Sequence, residues 1–178
     1  MQGRKAVSIL NGILWDKNIT IENKKIIYNS IVKSIITYSS EVWPLKEKTE
    51  RTRKATEMDF WRRSAGKSRI DKIPSETIRR QMELKHDIED DIRTQQLIWY
   101  GHGQRMEEHR IPKKIFNWNP QGRRKIGRPG RSWREGIDKE VLYRGLEVNG
   151  WGDRERWRLG IERRETVITR LYIYGVMF

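Results

Sequence analysis

Between Glu108 and Glu135 the chain carries no acidic residue and nine basic ones: Arg110, Lys113, Lys114, Arg123, Arg124, Lys125, Arg128, Arg131 and Arg134. Elsewhere basic and acidic residues alternate and largely cancel. A run of uncompensated cations is suited to neutralising a row of anions. Where the anions are nucleic-acid phosphates, each neutralised phosphate releases condensed counterions, which drives binding and makes it salt-sensitive. Arginine dominates the second half of the run. Its planar fork matches phosphate oxygens and stacks on bases. Trp118 and Trp133 bracket the densest part. An indole beside arginines can stack an unpaired base, contributing ~1–3 kcal/mol, or it can anchor the loop onto helices. The position of Trp133 at the opening of a helix favours anchoring. Trp118 stays open between the two roles. Short basic clusters also serve as nuclear-localisation signals, a role compatible with the first.

No other grouping promises chemistry. The chain has no Cys, which excludes disulfides, cysteine-containing zinc sites and a Cys nucleophile. His102 and His109 lie seven apart with no carboxylate pair at ligand spacing, and His86 stands alone. Glu89, Asp90 and Asp91 are adjacent, so on a helix they point in different directions and read as a solvated face. There is no Ser/His/Asp set, phosphate-cradling glycine loop or HExxH pattern. The sequence therefore predicts no catalytic residue, no metal and no cofactor in this chain.

The elements holding the basic run must be stable with little apolar material. Of 178 residues 35% are charged, against about 25% in ordinary domains. The net charge is +14, which opposes compaction and implies a polyanionic partner. No secretory signal is expected after Met1-Gln2-Gly3-Arg4-Lys5. The apolar stretch 167–178 contains Arg170 and is too short to span a bilayer. A nuclear and/or cytoplasmic location and no membrane partner are expected.

Helical periodicity predicts a short helix over 4–15, from Val7, Leu10, Ile13 and Leu14. Thr20 can cap a second helix to about Ser39, with Ile27, Ile31, Ile35 and Tyr38 as its stripe and Tyr28, Val32 and Ile36 widening it. A charge-rich helix over 46–65 has Ala55, Met58, Phe60 and Trp61 as apolar positions and Gly66 as left-handed cap. Ser75 can cap a short helix to Met82. A further helix over 86–99 turns Ile88, Ile92, Leu97 and Trp99 inward. The Gly and Pro density of 101–131 predicts a loop. Ser132 can cap a helix to Arg144, with Gly145 beyond it, and a last helix spans 153–174. Trp15, Trp43, Trp61, Trp99, Trp151 and Trp157 read as core anchors. The fold class is all-α, about six helices interrupted by a long basic loop near 101–131.

The run Trp99-Tyr100-Gly101-His102-Gly103-Gln104-Arg105-Met106 resembles the W-x-GH-x-x-RM stretch found late in the reverse transcriptases of non-LTR retrotransposons, notably those of insects. Arg110-Ile111-Pro112, Gly127-Arg128-Pro129 with Trp133, and Asp153-Arg154 with Trp157-Arg158 follow in that family's order. Upstream, Arg62-Arg63, Gly66 and Ser68-Arg69 resemble its RR-x-x-G-x-SR segment, and Tyr38 to Trp43 its YG-x-E-x-W turn. The similarity covers about Lys5 to Arg164. It departs at Ser39, where the family often has Gly, and at Gly103, where an apolar residue is usual. The resemblance implies that residues 1–45 are a thumb-like helical pair, 46–100 a helical connector and 101–178 a basic nucleic-acid-binding segment. It implies RNA and/or DNA as partner, with the polymerase palm and endonuclease in upstream domains of a parent polyprotein. A degenerate remnant acting as a protein-interaction scaffold, or part of an active RNA-directed DNA polymerase, are the alternatives.

Overall fold

A computed structural model describes residues 2–118, 122 and 132–162. Among these the fold is all-α, with no strand. The backbone packs into two units, Met1–Ser40 with Lys46–Ile92, and Glu41–Leu45 with Arg93–Phe178. The sequence divided the chain in three, at 45 and 100.

In the first unit the opening helix is cut at Leu10 into α1 (Gln2–Ile9) and α2 (Asn11–Trp15). Thr20 caps α3 (Ile21–Ile27), its hydroxyl accepting from the Asn23 N–H at 3.3 Å. The rod continues through a wide π-type stretch, Tyr28–Lys33, into α4 (Ser34–Thr37). Its buried stripe is Lys24, Tyr28, Val32 and Ile36. The expected stripe is displaced: Ile31, Ile35 and Tyr38 are exposed. A four-residue repeat drifts around a helix of 3.6 residues per turn, and a wider turn offsets that drift and keeps the four on one face.

The next helix, α5 (Glu47–Ser64), ends as expected. Gly66 takes φ +65°, its N–H donates to Arg63 O and the Lys67 N–H donates to Arg62 O, both at 2.9 Å. This is a Schellman cap, which needs a residue that tolerates the left-handed region. Phe60 and Trp61 are buried and meet edge to face at 4.8 Å, with Tyr28 against both. Ala55 and Met58 are only half-buried. Polar residues complete the inward face. Arg53 forks onto Glu89 at 2.6 and 2.8 Å, with both side chains buried. Glu57 accepts from Tyr28 OH at 3.0 Å and from the Ile88 N–H at 3.3 Å. Burial pushes the Glu57 carboxyl up, against the pull of those bonds, and raises the Tyr28 phenol together with Glu57's charge. Burial likewise lowers the Lys24 ammonium, which donates to Ser64 O.

Two expectations fail here. Ser75 does not cap α6 (Ser75–Gln81): Pro74 stands at the cap, and the Ser75 hydroxyl instead accepts from Arg62 at 3.0 Å. The run Glu89-Asp90-Asp91 is not a solvated face. Glu89 is buried on Arg53, and Asp91 pairs with Lys33 at 2.6 Å. The acids stand apart as expected, but each meets a cation or backbone donor of its own unit, with Asp90 accepting from the Asp87 N–H.

The helix α7 (Ile88–Gln104) gives its first turn to this unit and the rest to the second. Two more pieces of the expected 101–131 loop are helical: residues 101–104 close α7, and α8 spans Ile111–Asn117. The glycines there are points of close approach rather than breakers. A Cβ on Gly101 would come within 2.5 Å of Trp157 Nε1, and Phe116 lies against Gly103. Pro112 sits in the first turn of α8, where its missing N–H costs nothing.

Around α7 pack α9 (Trp133–Tyr143) and α10 (Arg154–Glu162), burying Leu97, Tyr100, Ile137, Val141, Trp157 and Ile161. Ser132 caps α9 by accepting from the Glu135 N–H at 3.1 Å. Gly145, at φ +62°, closes α9 with the same double bond pattern as Gly66, Gly145 to Leu142 and Leu146 to Val141. Asp153 caps α10 through the N–H groups of Glu155 and Arg156. The expected extension of this helix to Tyr174 lies outside the described residues.

Candidate nucleic-acid interface

Arg123, Arg124, Lys125, Arg128 and Arg131 lie outside the described residues. Of the other four cations of the acid-free run, Lys113 is buried and Arg110, Lys114 and Arg134 are exposed.

Lys113 is turned inward and is 3% exposed. Its ammonium donates to Gln104 O at 2.8 Å and to Gln104 Oε1 at 3.1 Å. Glu108 lies 3.6 Å away and the Trp151 ring 5.8 Å below. Arg134 lies over the Tyr100 ring at 4.8 Å, donates to Tyr100 OH at 3.0 Å and pairs with Asp138 at 3.1 Å. These two cations have acceptors within their own unit. Both sit beside aromatic rings of the second unit, where a long cationic stem covers apolar surface and its head finds fixed acceptors.

Arg110 and Lys114 are exposed, and among the described residues neither side chain has a carboxylate or hydrogen-bond partner. Arg110 is the residue before α8, and Trp118 the residue after it, is 64% exposed. Arg110, Lys114 and Trp118 are four apart, so they form one row along α8. Ile111 and Ile115 stand exposed beside that row. The opposite side carries Lys113 and Phe116, Phe116 packing on Tyr100 at 5.7 Å. One short helix thus separates a structural lysine from an outward row of two cations and an indole.

Trp133 anchors, as its position at a helix start implied. Its indole N–H donates to Glu41 O at 2.7 Å and its ring meets Phe116 edge-on at 5.4 Å. Trp61 and Trp157 are core residues. Trp43, Trp99 and Trp151 are half-buried. Trp15 departs from the expectation, with 41% of its surface exposed.

Two of the motifs that carry the resemblance, Trp99–Met106 and Asp153–Arg158, meet in the second unit's interior. Gly101 receives Trp157, whose indole donates to Leu97 O at 3.1 Å. Arg105 donates to Trp151 O at 2.7 Å. Burial, then the nearby Arg154 cation, lowers the Arg105 pKa. Among the described residues no group of three His, Asp or Glu could hold a metal, and no helix is long and apolar enough to cross a membrane.

No family model matches the chain. No solved structure matches it. An uncharacterized transposon-derived protein of Caenorhabditis elegans is 27% identical over 179 aligned residues, covering 92% of this chain. The chain spans 63% of that relative's length.

Proposed function

We propose that this chain is a nucleic-acid-binding segment of transposon origin, corresponding to the C-terminal region of a non-LTR retrotransposon reverse transcriptase. It holds template RNA or target DNA through phosphate contacts. Chemistry on the nucleic acid belongs, in this reading, to polymerase and endonuclease domains of the same polyprotein. A transposon-related origin fits the similarity to the nematode protein. The reverse transcriptase assignment rests on the ordered motifs.

The observation that carries the reading is the outward row on α8. Arg110 and Lys114 have no anion among the described residues, and exposed Trp118 continues their row. Cations with internal partners, such as Lys113, give no such support. Contact with phosphate backbones makes affinity fall steeply with salt and gives little sequence preference. With ~5 phosphates engaged on duplex DNA, log K against log salt slopes near −4.5.

The test is a salt titration of duplex DNA and RNA binding by fluorescence anisotropy. Replacing Arg123, Arg124, Lys125 and Arg128 with Ala flattens the slope. An unchanged slope removes the basic run from the interface. Absence of binding at moderate salt favours a remnant that acts as a protein scaffold.

A further inference from the structure

The segment resembling RR-x-x-G-x-SR, Arg62 to Arg69, takes no part in the site above. Its residues fold back on themselves. The Gly66 cap reverses the chain at the end of α5, so that Lys67 and Arg69 return beside Arg62 and Arg63. Together with Trp15 they line a pocket of about 400 Å³. It adjoins a larger groove of about 680 Å³ that shares Asp59, Arg62 and Arg69 and adds Glu57, Lys54, Lys72 and Arg79.

The charges in the small pocket do not balance. Asp59 is its one carboxylate, facing four cations. It pairs with Arg63 at 3.0 Å and reaches Arg69 only at 3.7 Å. Arg62 is held in place by Ile73 O at 2.7 Å and Ser75 Oγ at 3.0 Å, neither of which cancels its charge. Asp71, next along the loop, accepts from the Ser68 N–H. The aromatic rim is equally fixed. Asn11 Oδ1 accepts from Trp15 Nε1 at 3.1 Å and from Arg63 at 2.6 Å, tying the exposed indole to the cationic wall.

We infer that the first unit holds a second nucleic-acid site, which takes a single strand: phosphates on Arg62, Lys67 and Arg69, and an unpaired base on Trp15. A recess of this size, with one ring at its edge, admits a splayed nucleotide. A paired base keeps its faces inside the duplex stack and cannot reach the indole. Stacking of this kind accepts any base, because each has a π-face. The site goes beyond the α8 interface, since it lies in the other unit and discriminates by strandedness.

The experiment uses the full chain with a short oligothymidylate and a duplex of equal length. Trp15→Ala weakens oligothymidylate binding by about tenfold and duplex binding by less than about twofold, and Trp15→Phe restores most of the loss. Photocrosslinking of the wild-type chain to an oligothymidylate carrying 5-iodouracil, with peptides mapped by mass spectrometry, reads the site without any variant. The expected adducts fall in residues 11–15 and 62–69, and they persist in the Arg110→Ala/Lys114→Ala chain. Adducts confined to 110–134, or single-strand affinity unchanged in Trp15→Ala, overturn this inference and leave the α8 interface standing. A wild-type chain that binds neither probe overturns both.

Discussion

The indole of Trp157 lies directly against the backbone of Gly101, and its N–H is satisfied by Leu97 one turn earlier on the same helix. The last described helix is thereby locked to α7 by a contact with no room for a methyl group. Gly101→Ala would place a Cβ 2.5 and 2.8 Å from two atoms of that ring. The expected cost is about 1–3 kcal/mol, as for overpacking generally. Urea unfolding measures it. Gly160→Ala is the control: the atom its Cβ meets is the tip of Leu146, which can move aside, so the loss should be smaller.

The buried Arg53–Glu89 fork predicts a marked asymmetry between single and double variants. Glu89→Ala leaves a guanidinium without its carboxylate in the first unit's interior and should cost about 3–5 kcal/mol. Replacing both, as in Arg53→Met with Glu89→Leu, should recover much of that. Equal losses from the single and the double change would show that the stranded guanidinium is not the source of the cost.

Glu57 gives the pH dependence a sign. Burial holds its folded pKa above the ordinary 4.5. The folded chain therefore binds this proton more tightly than the unfolded one. The resulting stabilisation is full below 4.5 and is lost as pH rises through the raised value. Glu57→Gln keeps an acceptor for Tyr28 and never charges. Relative to wild type, its denaturation midpoint should improve from acid to neutral pH. Curves that stay parallel across that range would exclude the effect.

Lys113 and Lys114 are neighbours with opposite duties. Lys113→Ala abandons the Gln104 carbonyl in a buried setting, at about 1–3 kcal/mol of stability, and should leave the salt slope of DNA binding unchanged. Lys114→Ala should cost under about 0.5 kcal/mol of stability. It should reduce the slope by about 0.9, one phosphate's share. Thermal melts and anisotropy on the same two variants separate these outcomes.

Much of the fold could be read from local signals. The caps at Thr20 and Ser132 and the glycines at Gly66 and Gly145 act through neighbours in sequence, so residue type alone reveals them. Tertiary contacts decided the rest. Nothing near Glu89 announces Arg53, and nothing near Gly101 announces Trp157, so an ion-paired core acid resembled a solvated one and a packing glycine resembled a breaker. Ser75 lost its cap role to Pro74 and a distant arginine. The nine-cation run was found by charge counting, which cannot tell Lys113 from Lys114. Charge counting also passed over Arg62 to Arg69, because four cations between Asp59 and Asp71 make a short run beside the nine between Glu108 and Glu135. Only the reversal at Gly66 brings the cations to one side.

Phe116 and Trp133 touch at the two ends of the arginine-rich stretch, and Trp133 is fastened to Glu41 besides. The chain between them is therefore closed at its ends by a ring contact of 5.4 Å. Closing a loop grows costlier only logarithmically with its length, about 0.6 kcal/mol per doubling. The contact between the two rings therefore depends only weakly on how many residues separate them. The length of that segment is in this sense a free variable, which natural variation or an engineer could reset without redesigning the scaffold.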